Sequence, residues 1–154
     1  MRELPHTHSC FVCGESNAIG LRQRFETDGQ VVQARFTPRA EHAGFQGVVH
    51  GGILATLLDE IMVWACAVGA KKFGFCAEMT VRFQRPAVPG QELIAEAKLV
   101  ENRRGRVFDA KAELRNAAGE VLATAAGKYM PIRDADLTEL KRDMVGELDW
   151  VFAR

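Results

Sequence analysis

The feature that most constrains this chain is an apolar run at residues 53–68, which directly follows a His-Gly-Gly motif at 50–52. The run is long enough for four helical turns and is apolar on nearly every side, so the helix it predicts belongs inside the fold. The adjacent acids Asp59 and Glu60 interrupt its middle. Burying a carboxylate costs free energy unless a partner group offsets its charge or the carboxylate has a functional role. The two acids are therefore a candidate site.

Length, charge and the distribution of apolar residues limit the classes of protein to which this chain can belong. The 154 residues fit one domain, and the 20 basic residues balance the 20 acidic ones. No overall field therefore draws the protein to nucleic acid or to an anionic membrane, and we predict neither as a partner. The N-terminus has no apolar signal-peptide run, and the acids within residues 53–68 favour a core helix over a membrane span.

The remaining apolar residues alternate with the period of β-strands. Runs at 21–25 and 32–36 flank Asp28-Gly29, which predicts a hairpin. Four further alternating runs with hairpin-sized connections follow the helix. They cover residues 77–83, 93–99, 108–114 and 121–130.

This order of elements predicts an α+β fold, in which an antiparallel sheet of about six strands wraps around one long central helix. We divide the chain into a turn-rich segment at 1–20, the main domain at 21–132 and a C-terminal segment at 133–154. Helical spacing at residues 134–152 predicts a peripheral helix in the last segment.

The N-terminal segment contains a Cys-x-x-Cys motif, Cys10 to Cys13, preceded by His6 and His8. Thiolates and imidazoles at this spacing can hold zinc, if both histidines join the cysteines. The alternative, which we adopt from sequence, is a compact knuckle whose thiols pack as small apolar groups, with no metal and no cofactor. Together with Cys66 and Cys76, these fit free thiols in a reducing cytoplasm.

The His-Gly-Gly motif lies where the central helix begins. Free backbone N–H groups and the positive end of the helix dipole can bind a developing oxyanion there, and glycines allow close approach. Asp59 is the candidate general base or nucleophile, but it lies eight residues after Gly51, about 12 Å along one helix. If both act on one carbonyl, the carboxylate must come from a second chain, which predicts a symmetric dimer.

The sequence resembles the hotdog-fold thioesterase superfamily, specifically phenylacetate-pathway-like (PaaI-type) acyl-CoA thioesterases. The resemblance rests on His50-Gly51-Gly52 with an acid nine positions after the histidine, on the strand at 78–86, and on the Cys10 to Cys13 opening with Gly20-Leu21. It covers residues 10–132 and implies a hotdog fold that forms a homodimer or a dimer of dimers.

The resemblance also implies roles for individual residues. The position of Gly51 supplies the oxyanion N–H, His50 helps to shape the site or caps the helix, and Asp59 of the partner subunit is nucleophile or general base. One departure is that Gly44 stands where many family members carry Asn or Gln, six residues before the histidine. Gln46 is the candidate substitute.

The remaining predicted substrate contacts are Gly52, Glu60, and Arg104 with Arg106 in a turn, where arginine forks suit the phosphates of CoA. Two other functions stay open. One is a hotdog hydratase or dehydratase, which needs a histidine for proton transfer at carbon, and the other is an acyl-CoA-binding protein without catalysis. The best support for non-catalytic binding is the missing amide at Gly44.

Overall fold

The computed structural model describes residues 1–152. The helices are α1 (Gly51–Ala70), α2 (Asp134–Arg142) and α3 (Asp149–Phe152), and a 3-10 helix spans Ala40–His42. The strands are β1 (Arg2–Glu3), β2 (His6–Thr7), β3 (Glu26–Thr27), β4 (Val32–Phe36), β5 (Gly74–Phe83), β6 (Leu93–Arg103), β7 (Val107–Asn116), β8 (Val121–Pro131) and β9 (Met144–Val145).

The main sheet is antiparallel throughout, in the order β1-β3-β4-β6-β7-β8-β5. Helix α1 packs against the five strands from β4 to β8. An antiparallel sheet with one long helix packed on it confirms the predicted hotdog fold. The strand β5 lies at one edge of the sheet, where it pairs with β8 on one side only.

Helix α1 forms the core as its sequence predicts. Its buried residues are apolar, and they are Leu54, Leu57, Leu58, Ile61, Met62, Trp64, Ala65, Cys66, Ala67 and Val68. The helix is long and apolar enough to cross a membrane, but these contacts place it in the core. It ends at Lys71, which adopts the left-handed conformation (φ 58°) and stops the helix from continuing.

The predicted strand at residues 21–25 is wrong, since only the two following residues pair with β4. The backbone N–H of Gln23 donates instead to the carbonyl of Val12 (2.7 Å) in the N-terminal segment. Arg22 adopts a positive φ of 53°, which is incompatible with an extended strand. The chain here therefore follows the N-terminal segment rather than its hairpin partner.

The predicted helix at residues 134–152 is also wrong as a single element. Helix α2 ends at Arg142, the chain then forms β9 against β2, and α3 follows. Gly146 has a φ of +97°, which breaks the helical path. The last two residues of the predicted C-terminal segment, 153 and 154, lie outside the described residues.

Candidate active site

A cavity of about 610 Å³ opens at the N-terminal end of α1. Its apolar walls include Phe45 and Phe83, whose side chains are 88% and 51% exposed. His50 and Gly51 also line it. The helix N-terminus thus faces a space that is large enough for part of an organic ligand and is lined mainly by apolar groups.

The His-Gly-Gly motif supplies the cap of α1 and leaves one amide free. The Nδ1 atom of His50 accepts a hydrogen bond from the backbone N–H of Gly52 (2.8 Å), so this amide is occupied. Within residues 1–152, the backbone N–H of Gly51 has no acceptor. Gly51 is therefore the available donor at the mouth of the cavity, where the helix dipole favours negative charge.

A side chain at position 51 would crowd this donor. A Cβ added to Gly51 would lie 3.2 Å from the ring of Phe83 on β5. The glycine therefore lets β5 approach the start of the helix closely. This contact fixes the alignment of the two elements, with the end of β5 beside the beginning of α1.

Asp59 is half-buried on α1 and accepts a hydrogen bond from the hydroxyl of Tyr129 on β8 (2.9 Å). Burial, together with the nearby charge of Asp59, raises the pKa of Tyr129, so the phenol keeps its proton and acts as the donor. Cys76 of β5 lies opposite Tyr129 in the sheet. Asp59 is thus held by a fixed donor beside β5, which is the arrangement that a positioned carboxylate needs.

Tyr129 was missed in the sequence, because a single tyrosine in an alanine-rich strand carries no signal for the helix residue it meets. Gly127, two residues before Tyr129 on the same strand, is the small residue that the buried tyrosine ring requires. A Cβ at that position would lie 2.7 Å from the Tyr129 ring. The small residue therefore makes room for the buried ring that positions Asp59.

Glu60 points to a different group of side chains. Its Oε1 atom lies 3.4 Å from the Sγ of Cys13 and 3.7 Å from the Sγ of Cys10. Burial, and then the neighbouring Cys10, raise the pKa of Glu60 to about 8. The adjacent acids of α1 therefore have separate environments, a tyrosine hydroxyl for Asp59 and two thiols for Glu60.

The other predicted contact residues are exposed and lie on loops. Gln46 does not line the cavity at the helix N-terminus. Gly44 does line it, and a Cβ there would lie 3.2 Å from the Cα and Cδ2 atoms of His50. An amide side chain at position 44 would accordingly need His50 to shift.

Arg104 and Arg106 occupy the exposed turn between β6 and β7. Neither forms an ion pair within the described part of the chain, whereas Arg103 bonds to Asp109. Two guanidinium groups at this turn are therefore free to meet an anionic ligand.

The two histidines do not lie with the cysteines, as the zinc alternative required. His6 and His8 each contact the carboxylate of Glu15 instead, at 3.1 and 2.9 Å. The cysteines meet a carboxylate from the core helix, which is remote from them in sequence.

Comparisons with known proteins bear on the family and the fold. Residues 46–123 match the family model of the thioesterase superfamily, a segment that includes the helix N-terminus and Asp59. The chain is 31% identical over 97 residues to a protein of Archaeoglobus fulgidus named "Putative esterase", covering 62% of this chain and 61% of that protein.

Solved structures share the fold. A thioesterase superfamily protein has a TM-score of 0.73 at 31% identity, covering 80% of this chain and 60% of its own. The PaaI protein from the phenylacetic acid degradation operon of E. coli has a TM-score of 0.67 at 23% sequence identity. The match covers 73% of this chain and 81% of the PaaI chain. A hypothetical thioesterase from Streptococcus pneumoniae, solved with coenzyme A, has a TM-score of 0.64 at 17% sequence identity. The match covers 71% of this chain and 85% of the Streptococcus chain. The chain thus spans about three fifths of the Archaeoglobus protein and of the first of these structures.

The contact between Asp59 and Tyr129 predicts a measurable coupling. Replacing Tyr129 with Phe should lower the free energy of unfolding by about 1.5–3 kcal/mol, because a hydrogen bond to a charged group is lost. In the Asp59→Ala background the same replacement should cost at least about 1 kcal/mol less. Urea denaturation of the four proteins measures this cycle, and additive costs would show that the two side chains do not interact.

Proposed function

Since the chain belongs to the thioesterase superfamily, we propose that it hydrolyses acyl-CoA thioesters as a homodimer, with each active site shared between two subunits. The observation that carries this proposal is a pair of groups on α1. The N–H of Gly51 is free at an apolar cavity, and the carboxylate of Asp59 is held by the hydroxyl of Tyr129 on β8. These are the two groups that acyl transfer to water requires.

The unpaired edge of the sheet supports the dimer. Within residues 1–152, no strand covers the outer edge of β5, which is ten residues long. Its apolar residues Phe75 and Phe83 are 56% and 51% exposed. A long, apolar, open edge is a template for pairing with another chain, and a second copy of β5 is the partner that a symmetric dimer provides.

Such pairing would also bring the two halves of the site together. If β5 pairs with its copy in antiparallel fashion about Met79, near the centre of Gly74–Phe83, Phe83 of one subunit lies opposite Phe75 of the other. Gly51 lies beside Phe83, and Asp59 lies near Cys76 through Tyr129. The register therefore moves Asp59 of the partner subunit toward Gly51, which it cannot approach along its own helix, about 12 Å away.

In the proposed reaction, the Gly51 N–H donates to the carbonyl oxygen of the thioester and stabilises the oxyanion as it forms. Asp59 of the partner subunit takes a proton from water, whose oxygen bonds to the carbonyl carbon. The carbon–sulfur bond then breaks, and the sulfur leaves with a proton as the free thiol of CoA. Direct attack by Asp59 would instead form an anhydride that water hydrolyses to the same acid.

The remaining residues have supporting roles in this proposal. His50 caps the helix and keeps Gly52 occupied, so that the Gly51 amide alone points at the carbonyl. Gly52 allows the ligand to approach, and Gln46 is placed in the loop that precedes the motif. Arg104 and Arg106 hold the phosphates of CoA, and the coenzyme A bound to the Streptococcus pneumoniae protein of the same fold supports this ligand.

Binding of acyl-CoA without turnover is the second candidate, and Gly44 favours it. The position offers no amide to bind the thioester carbonyl or the attacking water. A hydratase or dehydratase is less well supported, because the Nδ1 of His50 is engaged in the helix cap. Measuring turnover and product separates these functions.

Replacing Asp59 with Asn should lower kcat by about 10²- to 10⁴-fold, because an amide can neither attack nor take a proton from water. Release of CoA from a panel of aliphatic and aromatic acyl-CoAs, followed by chromatography, measures this. Asp134→Asn, at an exposed carboxylate of α2, is the matched control and should leave kcat unchanged. Full activity of Asp59→Asn would remove Asp59 from the mechanism, and stoichiometric binding by wild type without CoA release would favour the binding protein.

Replacing the exposed Phe75 with Asp should dissociate the dimer and reduce kcat in proportion, since a charge then lies in the paired β5 edge. Val100→Asp is the matched control, because Val100 is 51% exposed on β6, away from that edge. Sedimentation velocity gives the oligomeric state. A fully active monomer, in either variant, would contradict the shared site.

A further inference from the structure

Three metal-ligand atoms converge beside the core helix, in a cluster that the proposed hydrolysis does not use. They are the Sγ atoms of Cys10 and Cys13 and a carboxylate oxygen of Glu60, all within 4.8 Å of one another. The cysteines come from the N-terminal knuckle, and Glu60 comes from the middle of α1, 47 residues after Cys13. Two distant segments of the chain therefore present their ligand atoms to one point.

The carboxylate in this cluster lacks a compensating cation. Across residues 1–152, no lysine, arginine or histidine forms an ion pair with Glu60. Its hydrogen-bond partners are the two thiols. A carboxylate held within an apolar helix is costly to ionise without a counter-charge, and a bound metal ion would supply one.

The knuckle is shaped around the sulfur atoms. The Sγ of Cys10 accepts the backbone N–H of Val12 (3.2 Å), and the carbonyl of Cys10 accepts the N–H of Gly14 (2.9 Å). A Cβ at Gly14 would lie 2.2 Å from that carbonyl oxygen, so the turn is too tight for any other residue. The N–H of Val12 stabilises the thiolate of Cys10, which is the form that binds a metal.

The distances fit one tetrahedral ion. Zinc–sulfur bonds of about 2.3 Å and zinc–oxygen bonds of about 2.1 Å at the tetrahedral angle separate sulfur from oxygen by about 3.6 Å. Glu60 Oε1 lies 3.4 and 3.7 Å from the two sulfur atoms. Little movement of these side chains would be needed to surround the ion.

We propose that Cys10, Cys13 and Glu60 bind one zinc ion, which ties the N-terminal knuckle to the middle of α1. Thiolate ligands with a carboxylate select zinc over magnesium or calcium, which prefer oxygen. This site is independent of the proposed hydrolysis. The sequence alone assigned no metal, because the third ligand is not one of the nearby histidines.

A cavity of about 690 Å³, with Cys10, Glu60 and Trp64 among its lining residues, adjoins the cluster. The indole Nε1 of Trp64 is buried and, within the described residues, has no hydrogen-bond partner. A water molecule or a small anionic ligand on the metal completes a site with three protein ligands, and the cavity has room for it.

Metal analysis and cobalt substitution test this site. Wild-type protein purified with reductant should contain one zinc per chain, and Co²⁺ exchanged for it should give sulfur-to-cobalt charge-transfer bands and the intense visible bands of tetrahedral cobalt. Cys10→Ser and Cys13→Ser should lose both signals, whereas Cys76→Ser should keep them. Glu60→Gln should weaken zinc affinity by about tenfold or more, because a charged ligand is removed.

A chelator gives a readout that does not require any variant to fold. Stripping zinc from wild-type protein should lower its Tm, and adding one equivalent of zinc should restore it. Wild-type protein without zinc or a cobalt spectrum would overturn the proposal. Metal retained equally by Cys10→Ser and Cys13→Ser would show an adventitious ion only, which also overturns it.

Discussion

The structure depends on covering an apolar helix that carries two acids at its centre. The sheet from β4 to β8 buries α1 on one side, and β5 approaches the start of the helix closely where Phe83 lies beside Gly51. Because the helix is apolar, each polar group on it needs its own partner. Asp59 finds Tyr129, Glu60 finds the two thiols, and the amide of Gly52 finds His50. Within the described residues, the indole Nε1 of Trp64 and the amide of Gly51 have no such partner, and the amide of Gly51 faces a cavity.

In the proposed mechanism, the position of that donor is the reason why one chain would form only half of a site. A helix rises about 1.5 Å per residue, so the donor and the carboxylate on the same helix are separated by more than the size of a thioester. Only an antiparallel neighbour can close this distance. The open edge of β5 offers the route, because pairing it with a copy of itself places two α1 helices side by side in opposite directions. In this account one symmetric dimer would give β5 a strand to pair with and would give the Gly51 amide a carboxylate opposite it.

The sequence predicted the parts of the fold that follow from periodicity. The long apolar run became α1, and the alternating runs became β5 to β8, since both patterns are local. The strand expected at 21–25 failed because Gln23 bonds to Val12, a long-range contact that no local pattern shows. The C-terminal helix ended at Arg142, because Met144–Val145 pair with β2, another long-range contact that no local pattern shows.

The candidate site also has residues that local spacing predicts and residues that only a long-range contact reveals. The His-Gly-Gly motif and Asp59 were found because spacing along one helix is readable, and the prediction that His50 caps the helix is one of the two alternatives the sequence left open. Tyr129 was not found, because its meeting with Asp59 depends on how β8 crosses α1. The roles of Gly51 and Asp59 in catalysis stay predictions.

Mixing two inactive variants tests the shared site most directly. Gly51→Pro removes the donor N–H at the first position of the helix, where the backbone tolerates proline and the half-exposed ring of Phe83 has to shift by a few tenths of an ångström. Asp59→Asn removes the carboxylate. When equal amounts are unfolded and refolded together, half of the dimers are mixed, and each holds one intact site. The account predicts recovery of about a quarter of wild-type activity. If the mixture stays as inactive as its components while mixed dimers form, the donor and the carboxylate do not act across two subunits.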